Sequence, residues 1–139
     1  MTGAASDQSR YEAGVKRFRE VTGGEGLELL DSFRDLAPDL SRYMAEFGYA
    51  DIYSRPGLEL RERQVATLAA LTTLGAAEPQ LGIHVRAALK IGLSRDEVVE
   101  VVLHCLPFAG FVRVINAMGV VREVFAEPHL EVDTRGSGS

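Results

Sequence analysis

The sequence predicts an all-α protein of six to eight helices, and three observations carry that prediction. Apolar residues recur at spacings of three and four along most of the chain. No stretch shows the period-two alternation of a half-buried strand. Glycine or proline stands at nearly every expected helix end.

Taken in order, Tyr11, Val15, Phe18 and Val21 share one face of a helix expected from Gln8 to Val21, until Gly23-Gly24 breaks the chain. Leu27 to Phe33 continues with Leu29, Leu30 and Phe33. Pro38 opens another short helix carrying Leu40, Tyr43, Met44 and Phe47, which Gly48 is expected to stop. Ser54-Arg55-Pro56-Gly57 reads as a turn, because proline presets the first φ of a turn and glycine tolerates the second. Leu60 to Leu74 is nearly continuous helix former ending at Gly75. Its Val65, Ala66, Leu68, Ala69, Ala70 and Leu71 cover most of the circumference, the pattern of a central helix buried on several sides. Pro79 lies in the first turn of a helix running to Lys90, with Gly92 as its stop. Ser94-Arg95-Asp96-Glu97 is a capping box, and Val98, Val101, Val102 and Cys105 form an apolar stripe behind it. A last helix, interrupted near Gly110, runs from about Phe111 to Ala126. Pro107 has two readings: it kinks a helix beside His104 at a cost of about 3 kcal/mol, or it marks where one helix ends and another begins.

Composition sets the outer limits. The 139 residues suit one domain, expected over 9–127, with loose segments at 1–8 and 128–139, the latter ending in the linker-like Gly136-Ser137-Gly138-Ser139. Hydrophobic residues at 46% and charged residues at 25% give a globular composition, and such a chain buries roughly 68–70% of its unfolded surface without metal or disulfide staples. The net charge of −5 opposes a nucleic-acid surface. The single Cys105 rules out an intramolecular disulfide and any paired-cysteine redox or zinc motif, and no metal site is expected. No apolar run approaches the ~20 residues that span a bilayer, and Met1–Gln8 lacks the features of a secretory leader, so a cytoplasmic location is expected.

Few residues could carry chemistry. His84 and His104 sit on consecutive expected helices; His129 falls in the tail. Each helical histidine is either a satisfied packed residue, both lying beside apolar neighbours at helical spacing, or a general acid or base. Arg63 is either part of a solvated first turn with Arg61 and Glu62 or a buried anchor for an acid. Gln80, one turn before His84, could orient that imidazole or a substrate. Cys105 reads as a small buried hydrophobe among Val101, Val102 and Leu106. Lys16-Arg17 and Arg19, balanced by Glu12 and Glu20, form a solvated face, and Gly23-Gly24-Glu25-Gly26 matches no nucleotide fingerprint. The apolar excess over Val98–Leu106 and Val112–Val121 asks for a second layer of packing, so a homo-oligomer is expected.

Several motifs taken together resemble a family. Tyr53-Ser54-Arg55-Pro56-Gly57-Leu58 and Arg61 to Leu71 resemble the segment that opens the core of carboxymuconolactone decarboxylases. His84 to Leu89, Gly92 to Glu97, and His104 through Phe111 are similar to its following motifs in order and spacing, as is Arg10 to Gly14 near the start. The resemblance implies an alkylhydroperoxidase D-like all-α bundle around an antiparallel helix pair, assembled as dimers, trimers or hexamers. The peroxidase relatives place Cys-x-x-Cys ahead of the histidine; Ala77 and Gln80 stand there in this chain, so no resolving thiol exists.

The decarboxylase branch implies a cofactor-free carbon–carbon lyase acting on an unsaturated lactone or keto acid such as 4-carboxymuconolactone, in aromatic-compound catabolism through the β-ketoadipate pathway. Carbon dioxide loss leaves an electron pair that must spread into a conjugated carbonyl, with the negative charge stabilised and a proton returned to carbon. By resemblance His84 and His104 supply those functions and Arg63 anchors the anion; Tyr53, Arg55, Gln80, Phe108 and Phe111 contact substrate. Arg55 also reads as part of a structural turn. The chain departs from the family pattern at Gln80 (commonly acidic), at Pro107-Phe108 (an apolar residue then tyrosine) and at Val112 (proline). Those changes point to a retained scaffold with an altered pocket. The alternatives are a tailoring isomerase or cyclase of secondary metabolism acting on a larger apolar substrate, and a non-catalytic oligomeric binding protein.

Overall fold

The computed structural model describes residues 3–128, with side chains from Ser6. These form eight α-helical segments and one π-helical stretch, with no strand among the described residues, so the chain is all-α. No helix among them is long and apolar enough to cross a membrane. The expected tail, with His129, lies outside the described residues after Pro128. The chain divides into two compact units, residues 1–63 and 64–139, the boundary falling inside α4 (Leu60–Leu74).

The first unit contains α1 (Gly3–Thr22), α2 (Glu25–Asp31), α3 (Leu40–Tyr43) and a π-helical stretch, Met44–Ile52. Helix α1 begins at Gly3, five residues before the expected Gln8. It packs along the π-helical stretch, and the contact is set by Gly14. A Cβ at Gly14 would lie 2.0 Å from the Ala45 carbonyl oxygen, and Ala45 is itself fully buried. Because the obstacle is backbone, Gly14→Ala is expected to destabilise the protein by about 1–3 kcal/mol, read as a lowered Tm. An unchanged Tm would show that α1 does not approach this closely.

The expected stop at Gly48 does not occur. Gly48 does not have positive φ, so it lacks the left-handed conformation through which glycine ends a helix. Instead the Tyr53 amide donates to the Gly48 carbonyl at 2.9 Å, a π-type bond that carries the stretch on to Ile52. The wider turn places Tyr49 between two rings, 4.0 Å from Phe18 and 4.9 Å from Tyr53. Burial and the neighbouring Tyr53 push the Tyr49 phenol well above the usual tyrosine value of 10.0. The folded state therefore holds this proton more tightly than the unfolded chain. Its stabilisation is intact below pH 10 and is lost as pH rises past it. A melt series should show stability falling above that pH, and Tyr49→Phe should flatten the fall. Arg10 closes the same unit, donating from Nε to the Asp51 carboxylate at 2.9 Å and from Nη1 to Glu46 at 3.4 Å. The guanidinium's hydrogen bond holds the exposed Asp51 carboxyl below its ordinary range.

The second unit holds most of α4 with α5 (Glu78–Ile91), α6 (Arg95–His104), α7 (Leu106–Ala109) and α8 (Phe111–Phe125). Helix α8 packs against α5, α6 and α7. The core is built from Leu68, Leu81, Val85, Val98, Val102 and Val121, each almost completely buried. The expected α4 is found to the residue, but its burial is one-sided: Gln64, Leu68 and Thr72 form the buried stripe, while Ala66 and Ala70 are exposed. Helix α5 ends at Gly92, whose φ of +121° is open to glycine and strained for other residues. The capping box is present in both directions, Glu97 N–H to Ser94 Oγ and Ser94 N–H to Glu97 Oε1, each at 3.0 Å. Pro107 marks a boundary and not a kink. It falls in the first turn of α7, where its missing N–H leaves no helical bond broken.

Candidate functional site

His84 lies in the middle of α5, half-buried, and its imidazole is held from α4. The Gln64 side-chain nitrogen Nε2 lies 2.9 Å from His84 Nδ1 and donates to the His84 backbone carbonyl at 3.0 Å. Gln64 is completely buried, and an amide taken from water into a core is costly unless its groups are bonded. Both bonds fix the ring against α4.

Gln64 is the residue that spacing arguments passed over. A signal was present: it occupies the buried stripe with Leu68 and Thr72, at positions i, i+4 and i+8, where an apolar side chain is the rule. The side chain that holds His84 Nδ1 is Gln64, and Gln80 is exposed.

His104 departs from expectation. It ends α6 and is exposed, not turned into packed surface, because the buried stripe of that helix is Val98 and Val102, continued by Cys105. Its ring is 6.0 Å from that of Phe108, tilted by 50°. Phe108 on α7 and Phe111 at the start of α8 are 76% and 71% exposed. Cys105 is buried as expected, its thiol 3.3 Å from the Val101 carbonyl oxygen.

The arginine candidates belong to the first unit. Arg63 Nη2 donates to the Arg55 carbonyl at 2.8 Å, and Arg17 Nε donates to the Tyr53 carbonyl at 3.1 Å. With the Ser54 hydroxyl donating to the Tyr49 carbonyl at 2.7 Å, these bonds tie down the Tyr53–Gly57 segment as the turn its sequence suggests. Three pairings thus emerge from the expected residues: His84 with Gln64, His104 with Phe108, and Arg63 with Arg55.

The second unit also contains a cavity of about 150 Å³ between the end of α4, the start of α5, and α8. Thr72, Glu78, Arg113 and Asn116 supply its polar lining, and the Thr72 hydroxyl is buried without a hydrogen-bond partner. None of the site residues expected from the sequence lines it.

A family model described as the carboxymuconolactone decarboxylase family matches residues 38–123. A 4-carboxymuconolactone decarboxylase from Acinetobacter baylyi is 33% identical over 123 residues, covering 88% of this chain and 91% of its own. A nitrosuccinic acid decarboxylase from Metarhizium robertsii is 29% identical over 116 residues, 81% of this chain and 79% of its own. An uncharacterised 15.0 kDa protein of Paracoccus denitrificans is 33% identical over 93 residues, 66% of this chain and 69% of its own.

Proposed function

The chain belongs to the carboxymuconolactone decarboxylase family, and from that membership we propose a carboxy-lyase that releases carbon dioxide from a small organic acid whose own electron-withdrawing group takes up the electron pair. The two decarboxylase relatives support this class. One is named for a carboxylated lactone and the other for a nitro-substituted diacid. In both compounds a carboxylate stands where a carbonyl or nitro group can accept the electrons of the breaking bond. The substrate therefore carries the electron sink, and the reaction needs no cofactor to provide one.

The observation that carries the reading is the imidazole of His84, held in place by a buried amide in a chain of this family. As the C–CO₂ bond breaks, its electron pair moves into the conjugated group and negative charge collects on oxygen. His84 donates a hydrogen bond to that oxygen or a proton to the carbanionic carbon. Arg63 serves as the anchor for the substrate anion, with Arg55 as the second candidate. His104, beside Phe108, is the candidate for the remaining proton-handling step, and Tyr53, Gln80 and Phe111 for further substrate contacts. The active form is a homo-oligomer.

Purified protein incubated with 4-carboxymuconolactone, and separately with nitrosuccinic acid, tests the proposal by CO₂ release. Turnover of either acid that is lost in His84→Ala is the expected result. Turnover unaffected by that substitution removes His84 from the chemistry. Failure to release CO₂ from both, at enzyme concentrations where the relatives' reaction is complete, removes these two substrates and favours the tailoring reading.

A further inference from the structure

We propose that Gln64 is a positioning residue that locks His84 in the neutral Nε2–H tautomer, so that this imidazole meets its substrate as a hydrogen-bond donor and not as a base. The role assigned to the ring rests on the decarboxylase reading; the tautomer itself does not.

The orientation of the Gln64 amide decides the tautomer. An amide's nitrogen and oxygen are assigned from their neighbours, and here one neighbour has only one possible role. The His84 backbone carbonyl oxygen accepts and cannot donate. The Gln64 atom 3.0 Å from it must therefore be the nitrogen, because the amide oxygen in that place would face another oxygen with no hydrogen between them. The same nitrogen lies 2.9 Å from His84 Nδ1 and points its second hydrogen there. Nδ1 must then present its lone pair. A proton on Nδ1 would set N–H against N–H inside a packed core, where Gln64 is completely buried and has no room to turn away.

A neutral imidazole whose Nδ1 accepts carries its proton on Nε2. The backbone carbonyl that fixes the amide belongs to the same residue as the ring, so one glutamine reads the position of the helix and sets the ring's proton at once. A carboxylate at position 64 would do the reverse. It can only accept, so it would draw the proton to Nδ1 and leave Nε2 as a base.

The test is a long-range ¹H–¹⁵N spectrum of the protein labelled at histidine nitrogen. It is recorded at a pH about 1.5–2 units above the ordinary imidazole value near 6.5, so that the neutral ring is observed. The His84 signals are identified by their loss in His84→Ala. The expected pattern is a bare, pyridine-like Nδ1 and a protonated, pyrrole-like Nε2. A protonated Nδ1 in the unmodified protein overturns the proposal, and that reading needs no variant to fold. Gln64→Glu adds the second arm. The proton is expected to move to Nδ1 and kcat to fall about 100-fold with KM little changed, the loss typical of a misplaced acid–base group. A Gln64→Glu protein that keeps the original nitrogen pattern shows that residue 64 does not set the tautomer. Since the spectrum is independent of turnover, an Nε2–H ring in a protein that releases no CO₂ would sink the functional reading and leave this one standing.

Discussion

Replacing His84 by alanine is expected to lower kcat at least about 100-fold, the smallest effect usual for removing a positioned acid–base group. The substitution is also expected to cost some stability, and the size of that cost follows from its surroundings. Gln64 keeps its bond to the backbone carbonyl of residue 84, which alanine also provides. It loses only the bond to the ring, leaving one buried N–H unsatisfied at about 1–3 kcal/mol. The assay therefore belongs well below the melting temperature, with folding verified by helical circular dichroism. Under those conditions a kcat within threefold of the unmodified protein would remove His84 from the mechanism. Added imidazole should restore part of the activity, because the space vacated by the ring stays lined by the same amide. Gln80→Ala supplies the contrast. Gln80 is exposed and one turn away, so its loss should leave Tm unmoved, and as a proposed substrate contact it should raise KM with kcat little changed.

The legible parts of this fold are those where a local rule has one outcome. Leu60–Leu74 could be read to the residue, because Gly75 follows an unbroken run of helix formers. Ser94 to Glu97 could be read to the atom, because a serine and a glutamate three apart satisfy each other's backbone groups in one arrangement. The π-helical stretch could not be read. Its widened turn is selected by what packs against it, Gly14 on Ala45 and Phe18 on Tyr49, and those α1 partners lie some thirty residues away in sequence. The same division applies to the site. His84 is visible as a residue type capable of the chemistry, and Cys105 as one hidden by its neighbours. The partner of His84 is not adjacent to it in sequence. Gln80 was the local candidate at helical spacing, whereas Gln64 reaches the ring from another helix, twenty residues earlier. His104 shows the converse error. Apolar neighbours at i−3 and i+4 suggested packing, but the helix ends at His104 itself, so the spacing to Phe108 crosses a break at Cys105 and does not define one face.

A double substitution on α8, Phe111→Asp with Ile115→Asp, is expected to dissociate the proposed homo-oligomer into single chains. In the single chain Phe111, Val112 and Ile115 are 71%, 73% and 64% exposed, and Phe108 on α7 and Leu103 on α6 add 76% and 46% within the same unit. Five large apolar side chains left in water on three consecutive helices form a patch of the kind that marks an interaction surface. The other face of α8 explains why they do not turn inward: Val114, Ala117, Val121 and Val124 already fill the core side. Covering a phenylalanine or isoleucine fully is worth about 1.5–3 kcal/mol, and an interface between identical copies counts each residue twice. Exchanging both for aspartate therefore removes roughly 6–12 kcal/mol of association before any charge repulsion, comparable to the whole of what a micromolar interface holds at about 8 kcal/mol. Sedimentation at micromolar concentration should show the unmodified protein as a multiple of 15.1 kDa and the variant as a single chain. Helical content should be unchanged, since both residues face outward. An unmodified protein that sediments as one chain at that concentration would mean the patch serves something other than self-association. A variant that stays assembled would place the interface elsewhere.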